Sequence, residues 1–231
     1  MYSQLRFAAG GVLISMSPSS SDEVEMGAMS PSIGSTDSPR TLQRYARLAL
    51  AVVLAWLAWS AFRSEYGYIP LLSDIDLAIH EFGHMLFMPF GIQFLGNTMM
   101  ILGGSLTQVA FPLVFVGYFM LKQSDGRRRD LFAAMVCLWW SGINLLSVAI
   151  YCADSRAGQL MLIDGSTGQE SDGHDWNNLL SRWGLLQHDT GIARGMRAIA
   201  WLVCVASIIV AIWTQLQRPR EQVVATSEPD S

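Results

Sequence analysis

The stretch AIHEFGHMLF (residues 78–87) places two histidines and a glutamate inside a segment that is otherwise as apolar as a membrane span. Imidazole and charged groups are costly in lipid, and inside a membrane segment they usually mark a functional site. His80, Glu81 and His84 fit the pattern H-E-x-x-H. On a helix, residues four apart lie on one face, so both imidazoles can reach one metal ion, with Glu81 beside them to accept a proton from water.

This spacing predicts a zinc site. A catalytic zinc ion takes three protein ligands, commonly including neutral imidazoles, and keeps one position open for water. The alternative is a group of buried polar residues that hydrogen-bond between helices, but Glu81 would then need a partner that the sequence does not obviously offer. We therefore expect His80 and His84 to bind zinc together with a third ligand elsewhere in the chain.

The composition of the chain indicates a membrane protein. Of the 231 residues, 51% are hydrophobic and only 15% are charged. Soluble domains usually carry about 25% charged residues. The formal net charge of −4 argues against a nucleic-acid partner, because that partner would require a basic surface.

Four long uncharged runs predict the fold class, an all-α polytopic membrane helix bundle. They cover residues 48–62, 99–121, 131–153 and 198–217. Three of them have about the 20 residues that a helix needs to cross the hydrocarbon core. The first is shorter, but Arg47 and Arg63 flank it and can extend to the interface. We expect an integral membrane protein of a bacterial-type (inner) cell membrane, with the lipid bilayer as its surroundings.

The H-E-x-x-H segment belongs to a fifth helix, predicted over residues 75–88 and ended by Pro89 and Gly91. Such a helix is about 20 Å long, which is short for a full crossing. If it spans, the basic residues divide almost evenly between the two sides of the membrane. If it dips in and returns, a large set of them lies on the cytoplasmic side, as the positive-inside rule favours. That set is Arg40, Arg44, Arg47, Arg127, Arg128, Arg129, Arg218 and Arg220.

We prefer the arrangement in which this helix dips in and returns. It puts the H-E-x-x-H helix and the outer loop, residues 154–197, on the same non-cytoplasmic side. The transmembrane domain itself is predicted over residues 42–217, between two polar tails. Residues 1–41 lack the apolar content needed to fold and are predicted to be disordered, with a later start codon as an open alternative, and residues 218–231 form a polar C-terminal tail.

Four residues of the outer loop are candidates for the third zinc ligand: Asp164, Asp172, His174 and Asp175. The stretch GHDWNNLLSRWGLL (residues 173–186) predicts an amphipathic helix for which Asp175 is a suitable N-cap. Because capping already explains Asp175, we expect His174 as the ligand first and Asp175 second. His188 is predicted to end this helix, where a cation suits the helix dipole.

Three further polar residues lie in or at the ends of the apolar runs. Gln108 and Asn144 are predicted to hydrogen-bond between helices, with a role in orienting the substrate backbone as the alternative. Asp154 is expected to pair with Arg156, or else to support a ligand histidine.

The chain resembles the site-2 protease family of membrane-embedded zinc metallopeptidases. The resemblance rests on HEFGH (residues 80–84) in an apolar helix and on LGGSLTQ (residues 102–108), which is similar to the small-residue motif at the start of the next helix in that family. It covers about residues 77–108. It implies that His80 and His84 bind zinc and that Glu81 is the catalytic acid and base.

The family's third ligand is an aspartate in an Asn-Pro-x-Asp-Gly-like motif that opens a later helix. No intact copy of that motif occurs in this chain. The segments IDG (residues 163–165) and SDG (residues 171–173) are fragments of it, and GHDW (residues 173–176) occupies a comparable place before a helix. The resemblance therefore leaves His174 and Asp175 as substitutes.

These observations predict a zinc-dependent membrane metalloprotease that hydrolyses peptide bonds in membrane-associated proteins or peptides. Two alternatives stay open at this point. One is a non-catalytic protein that binds or transports metal, or a degenerate protease that only docks its partners. The other is a zinc hydrolase that acts on a lipid amide. The alternatives differ in whether turnover depends on Glu81 and in which substrate is cleaved.

Overall fold

The computed structural model describes residues 39–91, 97–121, 129–161, 165–170 and 173–217. Within them the chain forms six α-helices and no β-strand. A single 3₁₀ turn, Leu186–His188, leads into the last helix. The helices are α1 (Pro39–Arg63), α2 (Leu72–Gly91), α3 (Thr98–Met120), α4 (Leu131–Ala153), α5 (Asp175–Arg182) and α6 (Asp189–Leu216).

Four helical segments are long and apolar enough to cross a membrane: α1, α3, α4 and the continuous segment Leu186–Leu216. A crossing needs about 20 residues, and each segment has at least 23. The protein is therefore an all-α helical membrane bundle, which confirms the predicted fold class. The predicted tails lie almost entirely outside the described residues. The exception is at the boundary, where α1 begins at Pro39 rather than after residue 41.

The core of the bundle lies around α4. Ile143 and Leu146 of this helix are buried together with Leu54 of α1 and Cys204 of α6. Large apolar side chains such as Trp56 point outward from the bundle and are exposed in the absence of lipid. This distribution suits a bundle whose apolar surface faces hydrocarbon.

Two contacts fix the direction of α1 relative to its neighbours. Near the start of α1, Arg47 forms an ion pair with Asp130 at the start of α4, with 2.6 Å between Nη2 and Oδ2. Near its end, the Phe62 carbonyl accepts a hydrogen bond from Arg197 of α6. The end of α1 therefore lies beside the start of α6 and the end of α4. The helix α5 follows the end of α4 in the chain, and its Arg182 contacts Thr98 at the start of α3. We therefore call this end of the bundle the α5 end.

The helix α2 starts inside the bundle and runs back to the α5 end. Near its start, Asp76 accepts a hydrogen bond from Trp140, which lies near the middle of α4, at 2.7 Å. Further along, His84 contacts the Met100 carbonyl near the start of α3, at 2.8 Å. The helix thus runs from the middle of α4 to the start of α3. It also brings the H-E-x-x-H motif to the same end of the bundle as α5.

The predicted bounds of this helix, residues 75–88, were wrong at both ends. The helix α2 has 20 residues, which correspond to about 30 Å, and it contains Pro89. A proline breaks a helix by removing its own N–H and by clashing with the carbonyl four residues earlier. At Pro89 these effects fall on the Met85 carbonyl, and the helix ends two residues after the proline, at Gly91.

The outer loop is shorter than the predicted 154–197, because α6 already begins at Asp189. The amphipathic helix α5 ends at Arg182, and Gly184 follows it in the left-handed conformation (φ 67°) that commonly terminates helices. His188 therefore does not end the amphipathic helix, contrary to the prediction. It ends the 3₁₀ turn and precedes α6.

Two glycines allow the backbones of α2 and α3 to approach closely. A Cβ atom added to Gly83 would collide with the Gly103 carbonyl oxygen and lie 2.8 Å from the Thr107 side chain. A Cβ atom added to Gly103 would lie 2.9 Å from the Gly83 carbonyl oxygen. Small residues at such crossings let membrane helices pack through their backbones. This contact fixes the distance between α3 and the two histidines on α2.

We expect Gly83→Ala to lower the free energy of unfolding by about 1–3 kcal/mol, because the added methyl group overpacks the crossing of α2 and α3. Tryptophan fluorescence during denaturation in detergent measures the change. Gly117→Ala on α3 is the control, since a Cβ atom there has no neighbour within 4 Å. Equal stability of the two variants would contradict the close contact.

Candidate metal centre

The three residues of the predicted motif meet on one face of α2. The ring centroids of His80 and His84 are 4.8 Å apart. The possible ligand atoms of His80, Glu81 and His84 all lie within 4.8 Å of one another. His80 is buried, and Glu81 and His84 are half-buried. The helical spacing therefore produces the cluster that the sequence predicted.

Asp175, the first residue of α5, completes this cluster from the outer loop. Its Oδ2 atom lies 3.1 Å from His80 Nε2 and 3.1 Å from His84 Nε2. The predicted meeting of the outer loop and the H-E-x-x-H helix is thus confirmed. Of the four candidates for a third ligand, Asp175 is the described residue that reaches both imidazoles. Asp164 and Asp172 lie outside the described residues.

His174, our first choice from the sequence, faces a different set of groups. Its Nδ1 accepts a hydrogen bond from the Asn177 backbone N–H at 3.3 Å, so His174 is the N-cap of α5. Its Nε2 faces Asp154 Oδ2 at 3.4 Å, and its ring stacks on Tyr151 with the centroids 4.3 Å apart. Burial lowers the pKa of His174, although the nearby Asp154 carboxylate acts against this shift.

The prediction that Asp175 caps this helix was therefore wrong: His174 is the N-cap, and Asp175 is the residue that faces the histidine pair. Asp175 lies in the first turn rather than at the N-cap. Adjacent positions at the start of a helix point about 100° apart, so only one of the two side chains can face the histidine pair. Both imidazole and carboxylate groups can cap a helix, and the sequence alone did not distinguish which residue does so here.

Three hydrogen bonds from successive residues hold Asp175 in place. The Asp175 N–H donates to the Tyr151 hydroxyl at 3.0 Å. The indole of Trp176 donates to Ser105 Oγ on α3 at 3.1 Å. The amide of Asn177 donates to the Ser155 carbonyl at 2.6 Å. The start of α5 is thus attached to α3, which carries the Nδ1 partners of both histidines, and to α4, whose Tyr151 ring lies edge-on to His80.

Each histidine makes a second hydrogen bond through its Nδ1. His84 Nδ1 lies 2.8 Å from the Met100 carbonyl oxygen, and His80 Nδ1 lies 3.0 Å from Gln108 Oε1. The Gln108 amide nitrogen donates in turn to Asn144 Oδ1 at 3.0 Å. Gln108 and Asn144 therefore connect α3 and α4, as predicted. The contact from Gln108 to His80 was not predicted from the sequence.

These contacts determine which ring nitrogens are available. A carbonyl oxygen only accepts hydrogen bonds, so the Nδ1 atoms of both rings carry protons. Each Nε2 of a neutral ring is then an acceptor, and it faces the Asp175 carboxylate. Asp175 Oδ2 lies 3.1 Å from each of these two nitrogen atoms, and all three atoms are acceptors. Acceptors this close together need either additional protons on the rings or a cation between them.

The charge of Asp175 favours a cation at this position. Burial favours its protonated form, but the hydrogen bonds and charges of His80 and His84 in their protonated state outweigh burial and lower its pKa below the usual range, and a cation bound in place of those protons would act on the carboxyl group in the same direction. Asp175 is therefore a carboxylate at neutral pH. Two imidazole nitrogens and one carboxylate oxygen are a common ligand set for zinc in hydrolytic sites.

The spacing of these atoms also suits zinc. Ligand atoms about 2.0–2.1 Å from one tetrahedral zinc ion lie roughly 3.3 Å from one another. The two separations from Asp175 Oδ2, 3.1 Å each, are close to this value. The residues present therefore fit a zinc ion in the kind of donor and in the two separations from Asp175 Oδ2.

A cavity of about 760 Å³ opens beside the cluster. Its polar lining includes His80, Glu81, His84 and Asp175, and its other walls include Tyr66 and Ile101. Glu81 therefore faces a space that can admit both water and a substrate segment. The volume is in the usual range for ligand-binding cavities, roughly 300–1,000 Å³.

The predicted ion pair of Asp154 with Arg156 was wrong. Arg156 instead pairs with the buried Asp189 at the start of α6, at 2.8 Å. Asp154 accepts hydrogen bonds from the backbone N–H groups of Gln159 and Leu160 and faces His174. Asp154 thus helps to fix the N-cap of α5 rather than a histidine of the H-E-x-x-H motif.

Comparisons of the chain with protein-family models, with curated proteins and with solved structures gave no match in any of the three.

The role of His174 can be tested by hydrogen exchange. We expect His174→Ala to accelerate amide exchange in α5 by up to about tenfold, because loss of an N-cap costs about 1 kcal/mol. His174→Asn should have a smaller effect, since its side-chain oxygen can accept the same hydrogen bond. Unchanged exchange in His174→Ala would mean that the cap and the stacking on Tyr151 do not stabilise α5.

Proposed function

We propose that the protein is a zinc-dependent metalloprotease of the membrane that hydrolyses peptide bonds in membrane-associated proteins, and that it is related in mechanism to the site-2 proteases it resembles. One observation carries the proposal. Two imidazole nitrogens and a carboxylate oxygen converge from α2 and α5 beside Glu81, at the edge of a cavity. The proposed location is the cytoplasmic (inner) membrane of a bacterial-type cell.

In this proposal His80, His84 and Asp175 hold the zinc ion. When bound, zinc supplies a Lewis acid that lowers the pKa of a coordinated water towards about 7 and polarises a carbonyl group. The hydrogen bonds from the two Nδ1 atoms to Gln108 and Met100 keep the rings in the tautomer that leaves Nε2 free. They also fix the ring planes, because each acceptor lies on the neighbouring helix α3.

Glu81 is the proposed general base and acid. Its carboxylate group accepts the proton of the attacking water and then returns a proton to the nitrogen of the leaving amine. The position suits both steps, since Glu81 lies next to His80 in the chain and lines the cavity. A half-buried carboxylate can exchange protons with water in the cavity while remaining close to the ligand atoms.

The cavity sets a condition on the substrate. A peptide bond within a helix is shielded by its neighbours and by the helical hydrogen bonds, so a cleavable segment must present unwound backbone. The cavity lies at the α5 end of the bundle and is lined partly by Tyr66 and Tyr68, which are not in a helix. We therefore propose substrates whose membrane segments unwind near the outer leaflet.

Metal analysis of purified variants tests the ligand set. Wild-type protein should hold about one zinc ion, and His84→Ala and Asp175→Ala should lose it, because two ligands rarely suffice for a stable site. His174→Ala should keep zinc at saturating concentration, since its cap stabilises α5 by only about 1 kcal/mol. Zinc lost in His174→Ala and kept in Asp175→Ala would identify His174 as the third ligand. Zinc kept in both would redirect the search to Asp164 and Asp172.

Glu81→Gln tests the catalytic step. We expect this variant to keep its zinc and to lower turnover by on the order of 10²–10⁴-fold, because the amide cannot accept the proton. Cleavage is followed in vesicles that contain a single-span peptide with an unwound segment near the outer leaflet. Glu65→Gln is the control, because Glu65 is an exposed carboxylate that does not line this cavity.

The outcomes of that assay separate the alternatives. Undiminished cleavage by Glu81→Gln would exclude the proposed role of Glu81. Bound zinc without cleavage by the wild-type protein would favour a non-catalytic metal-binding protein or a degenerate protease. Release of a fatty acid from a lipid amide, with no peptide cleaved, would favour a lipid hydrolase.

A further inference from the structure

Gly104 lies directly against the two imidazoles. It is buried in α3, and a Cβ atom added to it would lie 2.5 Å from His80 Nε2 and 2.5 Å from His84 Nε2. The same atom would be 2.7 Å from His80 Cδ2. Real Cβ atoms essentially never approach another heavy atom this closely. The position tolerates no side chain while both rings stay where they are.

The neighbouring Gly103 has different surroundings. A Cβ atom added to Gly103 would meet the Phe87 side chain at 2.7 Å and the Gly83 carbonyl oxygen at 2.9 Å. Gly103 therefore serves the packing of α2 against α3. The two glycines are adjacent in the chain but point to different neighbours, and only Gly104 points to the nitrogens of the candidate metal centre.

We propose that Gly104 is a positioning residue of the metal centre: the absence of a side chain at this position lets both imidazoles converge with Asp175 on one ion. The inference rests on the proposed zinc site. A zinc ion lies about 2.0–2.1 Å from an imidazole nitrogen, so a methyl carbon 2.5 Å from both nitrogens would crowd the same small space.

A side chain at position 104 can be accommodated in two ways, and each separates the ligand atoms. The rings can rotate, but then their Nδ1 atoms leave the Met100 carbonyl and Gln108. Alternatively, α3 can move away from α2. In that case Ser105, which holds Trp176 next to Asp175, moves with it.

Zinc binding by Gly104→Ala tests the inference, with Gly117→Ala on the same helix as the matched control. We expect Gly104→Ala to bind zinc at least on the order of 100-fold more weakly than wild type, because even loss of an outer hydrogen bond costs about 10–100-fold. Gly117→Ala should bind zinc as wild type does, since its methyl group meets no neighbour within 4 Å. A chromophoric chelator measures the affinity, and the visible absorption of bound cobalt reports the ligand geometry.

A second set of variants covers the case in which Gly104→Ala unfolds. The substitution is repeated in the background His80→Ala/His84→Ala, where both rings are absent. If collision with the rings is the only fault, Gly104→Ala lowers the thermal midpoint in the wild-type background and raises it slightly in the ring-free background, where alanine favours the helix over glycine. This comparison isolates the contact between position 104 and the imidazoles, and it requires no metal.

The outcomes distinguish this inference from the proposed function. Wild-type protein that binds no zinc would overturn the proposed function and this inference with it. Zinc bound equally by wild type and Gly104→Ala would overturn this inference alone. An equal loss of stability in the wild-type and ring-free backgrounds would also overturn it, because the methyl group would then act on the helix packing and not on the rings.

Discussion

The close approach of α2 and α3 at Gly83 and Gly103 is the constraint on which the centre depends. Each histidine on α2 has its Nδ1 partner on α3, and these partners are a backbone carbonyl and a side-chain amide. Both bonds are short because the two helices pack through their backbones. If bulkier residues stood at this crossing, the helices would separate and the rings would lose their orientation. The small residues of LGGSLTQ thus act on the site as well as on the fold.

The second part of the candidate centre is Asp175, which comes 91 positions after His84 in the chain. Contacts with α3, with α4 and with the segment just beyond the end of α4 hold Asp175 beside the histidines. The hydrogen bonds of Asp175, Trp176 and Asn177 end on α4, on α3 and just beyond α4. These are the same helices whose residues contact His80. A shift of α5 would therefore strain the elements that hold the histidines. For the proposed zinc site such mutual support would matter, because the groups that hold the ligands in orientation also set the affinity for the metal.

The sequence predicted the fold class and the first half of the site because both depend on local spacing. Long apolar runs become membrane helices by length alone, and residues four apart meet on any helix. The third candidate ligand does not follow from local spacing. His174 and Asp175 are neighbours, both can cap a helix, and the choice between them depends on contacts with Tyr151 and Ser105, which are distant in sequence. Likewise, α2 begins at Leu72, three residues earlier than predicted, and its contact with Trp140 of α4 joins residues that are distant in sequence.

The course of the chain before α2 connects the fold to the proposed chemistry. Residues 64–71 enter the bundle without forming a helix, and backbone at membrane depth is tolerated only where its polar groups are satisfied or face water. Ser64 Oγ accepts hydrogen bonds from the N–H groups of Tyr66 and Gly67, and Ser73 Oγ accepts one from Ile69. Tyr66 and Tyr68 then line the same cavity as Glu81. A hydrolase in a membrane needs water at its reacting atoms, and an extended entry segment beside a cavity is one way to admit it. The segment before α2 and α2 itself therefore both contribute walls to the cavity beside the histidines.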